Sequence, residues 1–230
     1  ASMGEMIGNI AHQWRQPLST IMIAATGMKF QKEHDLLTDE DFNNSVESIK
    51  KSTHYLSDTI EDFRNFFKSD QESSEVLIDD VIETSLDLFG FKYVSNSVKL
   101  VKEIENISIN TYENELIQVI INLLNNAKDA LEESKEEKYI FISTKKANNR
   151  LIIQLKDNAG GIPKEILQKI FEPYFTTKHK SIGTGIGLYM CEQIITKHMN
   201  GIISVKNIEY TYLNKKFKGA SFTINIPINI

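Results

Sequence analysis

Apolar residues in the first third of the chain recur at alternating spacings of four and three. Met3, Ile7, Ile10, Trp14, Pro17, Ile21, Ala24 and Met28 form one such row, the pattern of a helix that buries a single seam. Pro17 falls inside the row, where it removes an intrahelical hydrogen bond, so the axis is expected to bend there. After a polar stretch from Glu33 to Asp41 the spacing returns at Phe42, Val46, Ile49, Thr53, Leu56, Ile60, Phe63 and Phe67. Two amphipathic helices joined by a short polar turn predict an antiparallel hairpin, and a lone hairpin cannot cover two such seams. A dimeric four-helix bundle covers them.

The stretch from Ser69 to Glu75 has no apolar residue and reads as a linker, dividing the chain into 1–70 and 71–230. The second part predicts helices over Asp79 to Tyr93, Glu113 to Glu133 and Ile186 to Met199. It also predicts strands near Val76 to Ile78, Val98 to Glu103, Ile107 to Asn110, Tyr139 to Lys146, Leu151 to Lys156, Ile202 to Asn207 and Ser221 to Ile226. Helices and hairpin-like strand pairs in this order suggest an α+β two-layer sandwich, with the helices on one face of the sheet.

Charge and composition narrow the partners. The formal net charge of −5 comes with no basic tract, so nucleic acid is not an expected partner. Cys191 is the single cysteine, which rules out an internal disulfide and a multi-cysteine zinc site and fits a reducing cytoplasm. No run approaches the roughly 18 apolar residues that cross a bilayer, and the opening ASMGEM lacks a signal-peptide pattern. The expectation is a cytoplasmic, soluble fragment, with any membrane-anchored sensor domain upstream of Ala1.

Three groups of residues could carry chemistry. His12 stands two residues from both Ile10 and Trp14, which turns it to the outer face of the first helix. A solitary surface histidine usually has no task, yet an exposed neutral imidazole is also a competent nucleophile toward phosphorus. Asn122, Asn126 and Asp129 follow i, i+4, i+7 spacing and share one helical stripe. The opposite stripe, Val119, Leu123, Ala127 and Ala130/Leu131, is apolar, so the polar one either lines a cavity or is simply solvated. Finally, DNAGGIP (Asp157 to Pro163) turns on two consecutive glycines, and Gly183, Gly185 and Gly187 alternate just before a helix. Glycines at a helix entrance expose backbone N–H groups to phosphate.

Taken together, these strings resemble the catalytic core of sensor histidine kinases. MIGNIAHQWRQPLS resembles the histidine box, NLLNNAKDAL the N-box, DNAGG the first glycine box, IFEPYFTTK the F-box and HKSIGTGIGL the second glycine box. The resemblance implies a Bergerat-type ATP-binding fold after the helical hairpin, and ATP and Mg2+ as ligands. It implies autophosphorylation of His12, a homodimer, and a response regulator whose aspartate receives the phosphoryl group. Asn126 would hold the metal with Asn122 in support, Asp129 would stand beside them, and Asp157 would receive the adenine amino group. A carboxylate accepts that hydrogen bond but cannot donate one to the carbonyl of guanine, so ATP is favoured over GTP. Ala159, standing in place of a glycine, Gly161, Thr177, Lys178, Gly183, Gly185, Gly187 and Leu188 would surround the nucleotide, with Lys180 a further cation in the segment between the two glycine boxes. Ser221, in GASFTINIP, would hold adenine through water.

Two positions depart from the pattern. Gln13 follows His12 where many relatives have an acid able to polarise the imidazole. Asp129 replaces a basic residue and resembles the gyrase-type version. Gln16, four residues after His12, falls where related proteins place an amide that orients water for dephosphorylating the regulator. Two alternatives stay open on sequence: a nucleotide-driven ATPase or conformational switch of the gyrase and chaperone class, and a nucleotide-binding dimerisation scaffold.

Overall fold

The computed structural model describes residues 3–67, 72–90, 98–132, 134, 136–177 and 185–228; the side chains of 3–13, 16, 58, 59 and 61–67 lie outside the described residues. A helical unit runs to Phe67, and an α/β unit takes Lys68–Phe175 and Ile186–Ile230.

Helices α1 (Met3–Glu33) and α2 (Asp39–Phe67) pack as the helical hairpin. Helix α1 continues through Pro17, whose ring is buried. Its end is set by Asp35, at φ +55°, which lets the Leu36 N–H reach back to the Gln31 carbonyl at 2.8 Å, a closure that satisfies terminal carbonyls. The next helix starts on a cap. Thr38 Oγ1 accepts the Asp41 N–H at 3.1 Å and donates to Asp41 Oδ2 at 2.6 Å, and Asp39, Glu40 and Asp41 place negative charge in the first turn.

The seam of α1 is oriented as its spacing predicts: Pro17 is buried and Trp14, Ile21, Ala24 and Met28 are partly covered. The inward face of α2 differs by about one residue from the predicted one. Among the described residues of α2, Ser52 and Tyr55 are buried, while Phe42, Thr53 and Ile60 are exposed. The small serine lets a helix approach closely, and the predicted apolar row is left partly turned outward. Together with Leu18, Met22 and Ile23, which are more than half exposed, it leaves the hairpin with uncovered apolar surface.

In the α/β unit, β1 (Ser74–Leu77) pairs antiparallel with β3 (Ser108–Thr111). Ser74 and Glu75 therefore belong to a strand rather than to the linker. Helix α3 (Ile78–Leu88) stops short of the predicted Tyr93, because Gly90 adopts φ +70° just beyond it. The main sheet has the order β2-β4-β5-β7-β6, comprising β2 (Val98–Glu103), β4 (Lys138–Ala147), β5 (Arg150–Asp157), β6 (Ile202–Tyr212) and β7 (Lys215–Pro227). Only the β2–β4 pair among these is parallel. Helix α4 (Glu113–Glu132) and helix α5 (Gly187–Gln193), which widens into a π turn at Ile194–His198, pack together. They share one core with the inward residues Leu151, Ile153 and Leu155 of β5.

Strands β6 and β7 run much further than predicted. Their turn, Leu213-Asn214, has φ of +47° and +61°, the two positive values that a tight hairpin turn requires. A second cluster, Tyr139, Phe141 and Phe217 with Tyr210 and Tyr212 against it, stabilises this extension.

Candidate functional site

Strand β5 alternates partly exposed and buried side chains along its length, and the parity delivers Asp157, its last residue, to the helix-covered side. That carboxylate is only 3% exposed. Its Oδ1 accepts the Ala159 N–H at 2.9 Å and the Ala220 N–H at 3.2 Å. Burial pushes the carboxyl group above the ordinary aspartate range, and the two backbone donors oppose that shift without cancelling it. A buried, incompletely compensated carboxylate is costly for a fold to keep, which is typical of a site that awaits a donor.

The turn after Asp157 is fixed on several sides. Gly160 and Gly161 adopt φ of +90° and +88°, a region open to glycine and strained for other residues. Ala159 is absent from the positive-φ residues, so its methyl group costs nothing at a place where the resemblance would allow glycine. Asn158 clamps the start of β4, accepting the Tyr139 N–H and donating to the Glu137 carbonyl, both at 2.7 Å. The Glu137 side chain bonds Lys99 and Lys215, which hold its carboxyl down at about 2. From the other side, the Gly160 N–H donates to the Lys218 carbonyl at 2.9 Å and the Tyr210 hydroxyl donates to the Asp157 carbonyl at 3.0 Å. Gly219 lies so close that a Cβ there would fall 1.9 Å from the Asp157 carbonyl oxygen.

The amide stripe of α4 is present as the spacing predicts. Asn122, Asn126 and Asp129 are partly exposed, while Val119, Leu123, Ala127 and Leu131 are buried; Ala130 is exposed and belongs with neither. The glycine before α5 meets this stripe directly. A Cβ on Gly187 would lie 3.5 Å from Asn122 Oδ1, so the N-box and second glycine box lie side by side. The Cys191 thiol donates to the Val119 carbonyl at 3.9 Å, and burial drives it up to about 12, opposed in part by Asn122, leaving it a packing group. Leu188 packs against the main core. Gly185 has φ +66° and Thr177 is exposed. In the F-box string, Ile170 is buried and Phe171 and Phe175 pack on the core, while Tyr174 takes φ +67°.

Ser221 is not brought to this group. It pairs with Lys156 across β5 and β7 and accepts a hydrogen bond from Gln154 Nε2 at 3.0 Å. Lys156 and Gln154 alternate with Leu155 and Asp157, so Ser221 points to the opposite face of the sheet. Ala220, one residue earlier, is the position that meets Asp157. An open cavity of about 720 Å³, lined among others by Ser143, Lys145 and Gln154, also lies away from Asp157 and Asn122. Lys178, Lys180 and Gly183 lie outside the described residues. His12, Gln13 and Gln16 are on α1, and their side chains lie outside the described residues. Among the described residues, no helix is long and apolar enough to cross a membrane.

Sequence reasoning missed Asn158, Asn207, Tyr210, Gly219 and Ala220. Only Gly219 carried a local signal, as a glycine inside a β-rich string; the others act through cross-strand register.

Comparison with known proteins gives a consistent result. Residues 111–230 match the histidine kinase-, DNA gyrase B- and HSP90-like ATPases, and residues 2–72 match the His Kinase A (phospho-acceptor) domain. The signal transduction histidine-protein kinase AtoS of Escherichia coli K12 is 28% identical over 231 residues, covering 100% of this chain and 35% of AtoS. The chain spans about a third of the length of the first curated relatives it matches. A solved catalytic domain of histidine kinase ThkA is 29% identical with a TM-score of 0.58, covering 70% of this chain and 100% of that one. The structure of ThkA in complex with response regulator protein TrrA shares the fold over 98% of this chain and 62% of that one, with a TM-score of 0.68 and 24% identity. With an ATPase-family match over more than half its length, the chain belongs to the histidine kinase-, DNA gyrase B- and HSP90-like ATPase family, with a His Kinase A (phospho-acceptor) domain before it.

Proposed function

We propose that this chain binds ATP beside α4 and transfers its γ-phosphoryl group to His12, for onward transfer to an aspartate of a response regulator. The observation that carries the reading is the buried Asp157 carboxylate, held by backbone donors on Oδ1, in a chain that also has a phospho-acceptor match around His12. Both of those bonds fall on one oxygen, and the adenine amino group would donate to the other. Base selection then follows from acceptor-only chemistry.

An imidazole nitrogen of His12 attacks the γ-phosphorus, the bond to the β–γ bridging oxygen breaks, and ADP leaves with that electron pair. Little covalent work falls to the protein; positioning and charge stabilisation dominate. Gln13 can orient the imidazole but cannot take its proton, which passes to water or to a base elsewhere. The neutral amide oxygens of Asn126 and Asn122 suit Mg2+, a hard cation that takes oxygen ligands and keeps water and phosphate oxygens in its shell. That ion supplies neutralisation of the phosphate charge. Asn126 would be its ligand, and Asn122, next to the glycine-led start of α5, would position it. Lys178 and Lys180 are proposed to meet the phosphates, with Thr177, Gly183, Gly185 and Gly187 around them.

Domains 1–70 and 71–230 would work as acceptor and donor. The exposed Leu18, Met22, Ile23, Phe42 and Ile60 support a homodimer closed through a four-helix bundle. Gln16 is proposed to orient water in regulator dephosphorylation; unchanged dephosphorylation in Gln16→Ala would remove it from that role. A second reading has one feature in its favour: Asp129 follows the gyrase-type pattern, which suits an ATPase switch. Incubation with γ-labelled ATP separates the cases. Acid-labile, base-stable label on the protein supports the kinase, and phosphate release without label supports the ATPase. Binding with neither leaves a scaffold.

A further inference from the structure

The turn that carries Asp157 has a second anchor that no motif accounts for. Asn207, on β6, accepts the Ile162 N–H through Oδ1 at 2.8 Å and donates through Nδ2 to the Ile162 carbonyl at 2.7 Å. The contact spans 45 residues of sequence. It is a two-point match to the backbone N–H and C=O of one residue, which needs a donor and an acceptor on the same short side chain. Gly161 makes the approach possible, since a Cβ there would fall 2.6 Å from Asn207 Oδ1.

Asn207 also stands at a particular place in the sheet. Its register partner across β6 and β7 is Ala220, whose N–H holds Asp157 Oδ1. One cross-strand pair therefore grips both ends of the turn, Ala220 at the entrance and Asn207 at the exit. Between them the Gly160 N–H is tied to the Lys218 carbonyl.

We infer that Asn207 is a positioning residue for adenine recognition: it fixes the Asp157–Ile162 turn against β6 and so holds the carboxylate where the base must meet it. This rests on the adenine-nucleotide reading given above. Asn207 acts through Ile162 and Gly161. Its effect must therefore appear in affinity for the base. An aspartate at this position keeps the acceptor but sets a carboxylate against the Ile162 carbonyl. A serine keeps at most one of the two bonds, and an alanine keeps neither.

The test uses the whole chain, with ADP and adenosine as calorimetric probes and hydrogen exchange at the Ile162 amide. Asn207→Ala and Asn207→Asp should weaken both probes by the same factor, on the order of tenfold for the lost pair of bonds, with Asn207→Ser between them and wild type. The Ile162 amide should exchange slowly in wild type and fast in Asn207→Ala. If Asn207→Ala does not fold, Asn207→Ser and Asn207→Asp carry the comparison. Unchanged affinities for folded variants overturn the inference, as does a loss for ADP with none for adenosine. A wild-type chain that binds neither probe overturns the nucleotide reading itself, and this inference with it.

Discussion

Replacing Asp157 by asparagine isolates the carboxylate with almost no change of shape. The asparagine oxygen can still accept the Ala159 and Ala220 N–H groups that Oδ1 accepts at 2.9 and 3.2 Å, so the turn keeps its local bonds. What changes is the second position, where an acceptor becomes an NH2 group facing the amino donor of adenine. Losing a charge-assisted hydrogen bond costs about 1.5–3 kcal/mol, and opposing two donors in a buried site adds to it. A loss of about 3 kcal/mol corresponds to roughly 100-fold in Kd. Stability should move the other way. The folded state holds the Asp157 proton more tightly than the unfolded chain does, because burial raises its affinity. Wild-type stability therefore falls as pH rises from the ordinary aspartate range through the raised value. Asp157→Asn lacks that titration and should melt at or above the wild-type temperature at neutral pH. Base recognition needs the ionised form, so wild-type ADP affinity should fall as pH is lowered through the same window. Calorimetric titration with ADP and thermal melts across pH supply both readouts. Wild-type affinity in a folded Asp157→Asn chain would refute the assignment.

Other substitutions probe the remaining parts. Gly219→Ala must displace backbone, since its Cβ would meet the Asp157 carbonyl oxygen at 1.9 Å; overpacking of this kind costs about 1–3 kcal/mol or more, and thermal melts should show it together with lost ADP binding. Ser221→Ala removes only the bond from Gln154 on the far face of the sheet, so its ADP affinity should match wild type; a tenfold loss would place Ser221 in the site after all. Gln13→Glu supplies the missing proton acceptor beside His12 and should raise the initial rate of labelling from γ-labelled ATP by roughly tenfold, below the 10²–10⁴ of a fully positioned base. An unchanged rate would show that proton removal does not limit transfer.

Much of the architecture was legible because it follows from period. The four-three row of α1 dictates which of its residues turn inward, and Pro17 is buried accordingly. The amide stripe of α4 was readable for the same reason. The α2 face was read about one residue off, because Ser52 is buried and a pattern of apolar residues gives no weight to a small polar side chain that permits close approach. Ser221 was misplaced by parity. Its motif position says nothing about face until the pairing of Lys156 with Ser221 is known, and a shift of one residue reverses a strand side chain. Asn207 was invisible for a deeper reason, since its partner lies 45 residues away and only the β6–β7 register brings them together. The hairpin was read short because Leu213-Asn214 lacks the glycine that usually marks such a turn, although both residues adopt the positive φ it needs.

The claim on which the account depends is that one chain carries both the adenine-binding carboxylate and the imidazole that receives the phosphoryl group. Digestion of the chain after incubation with γ-labelled ATP and Mg2+, followed by mapping of the label, tests it directly. The account predicts acid-labile, base-stable label on the peptide containing His12 and none in His12→Ala. Label on another residue, or ATP turnover with no labelled peptide, would contradict it.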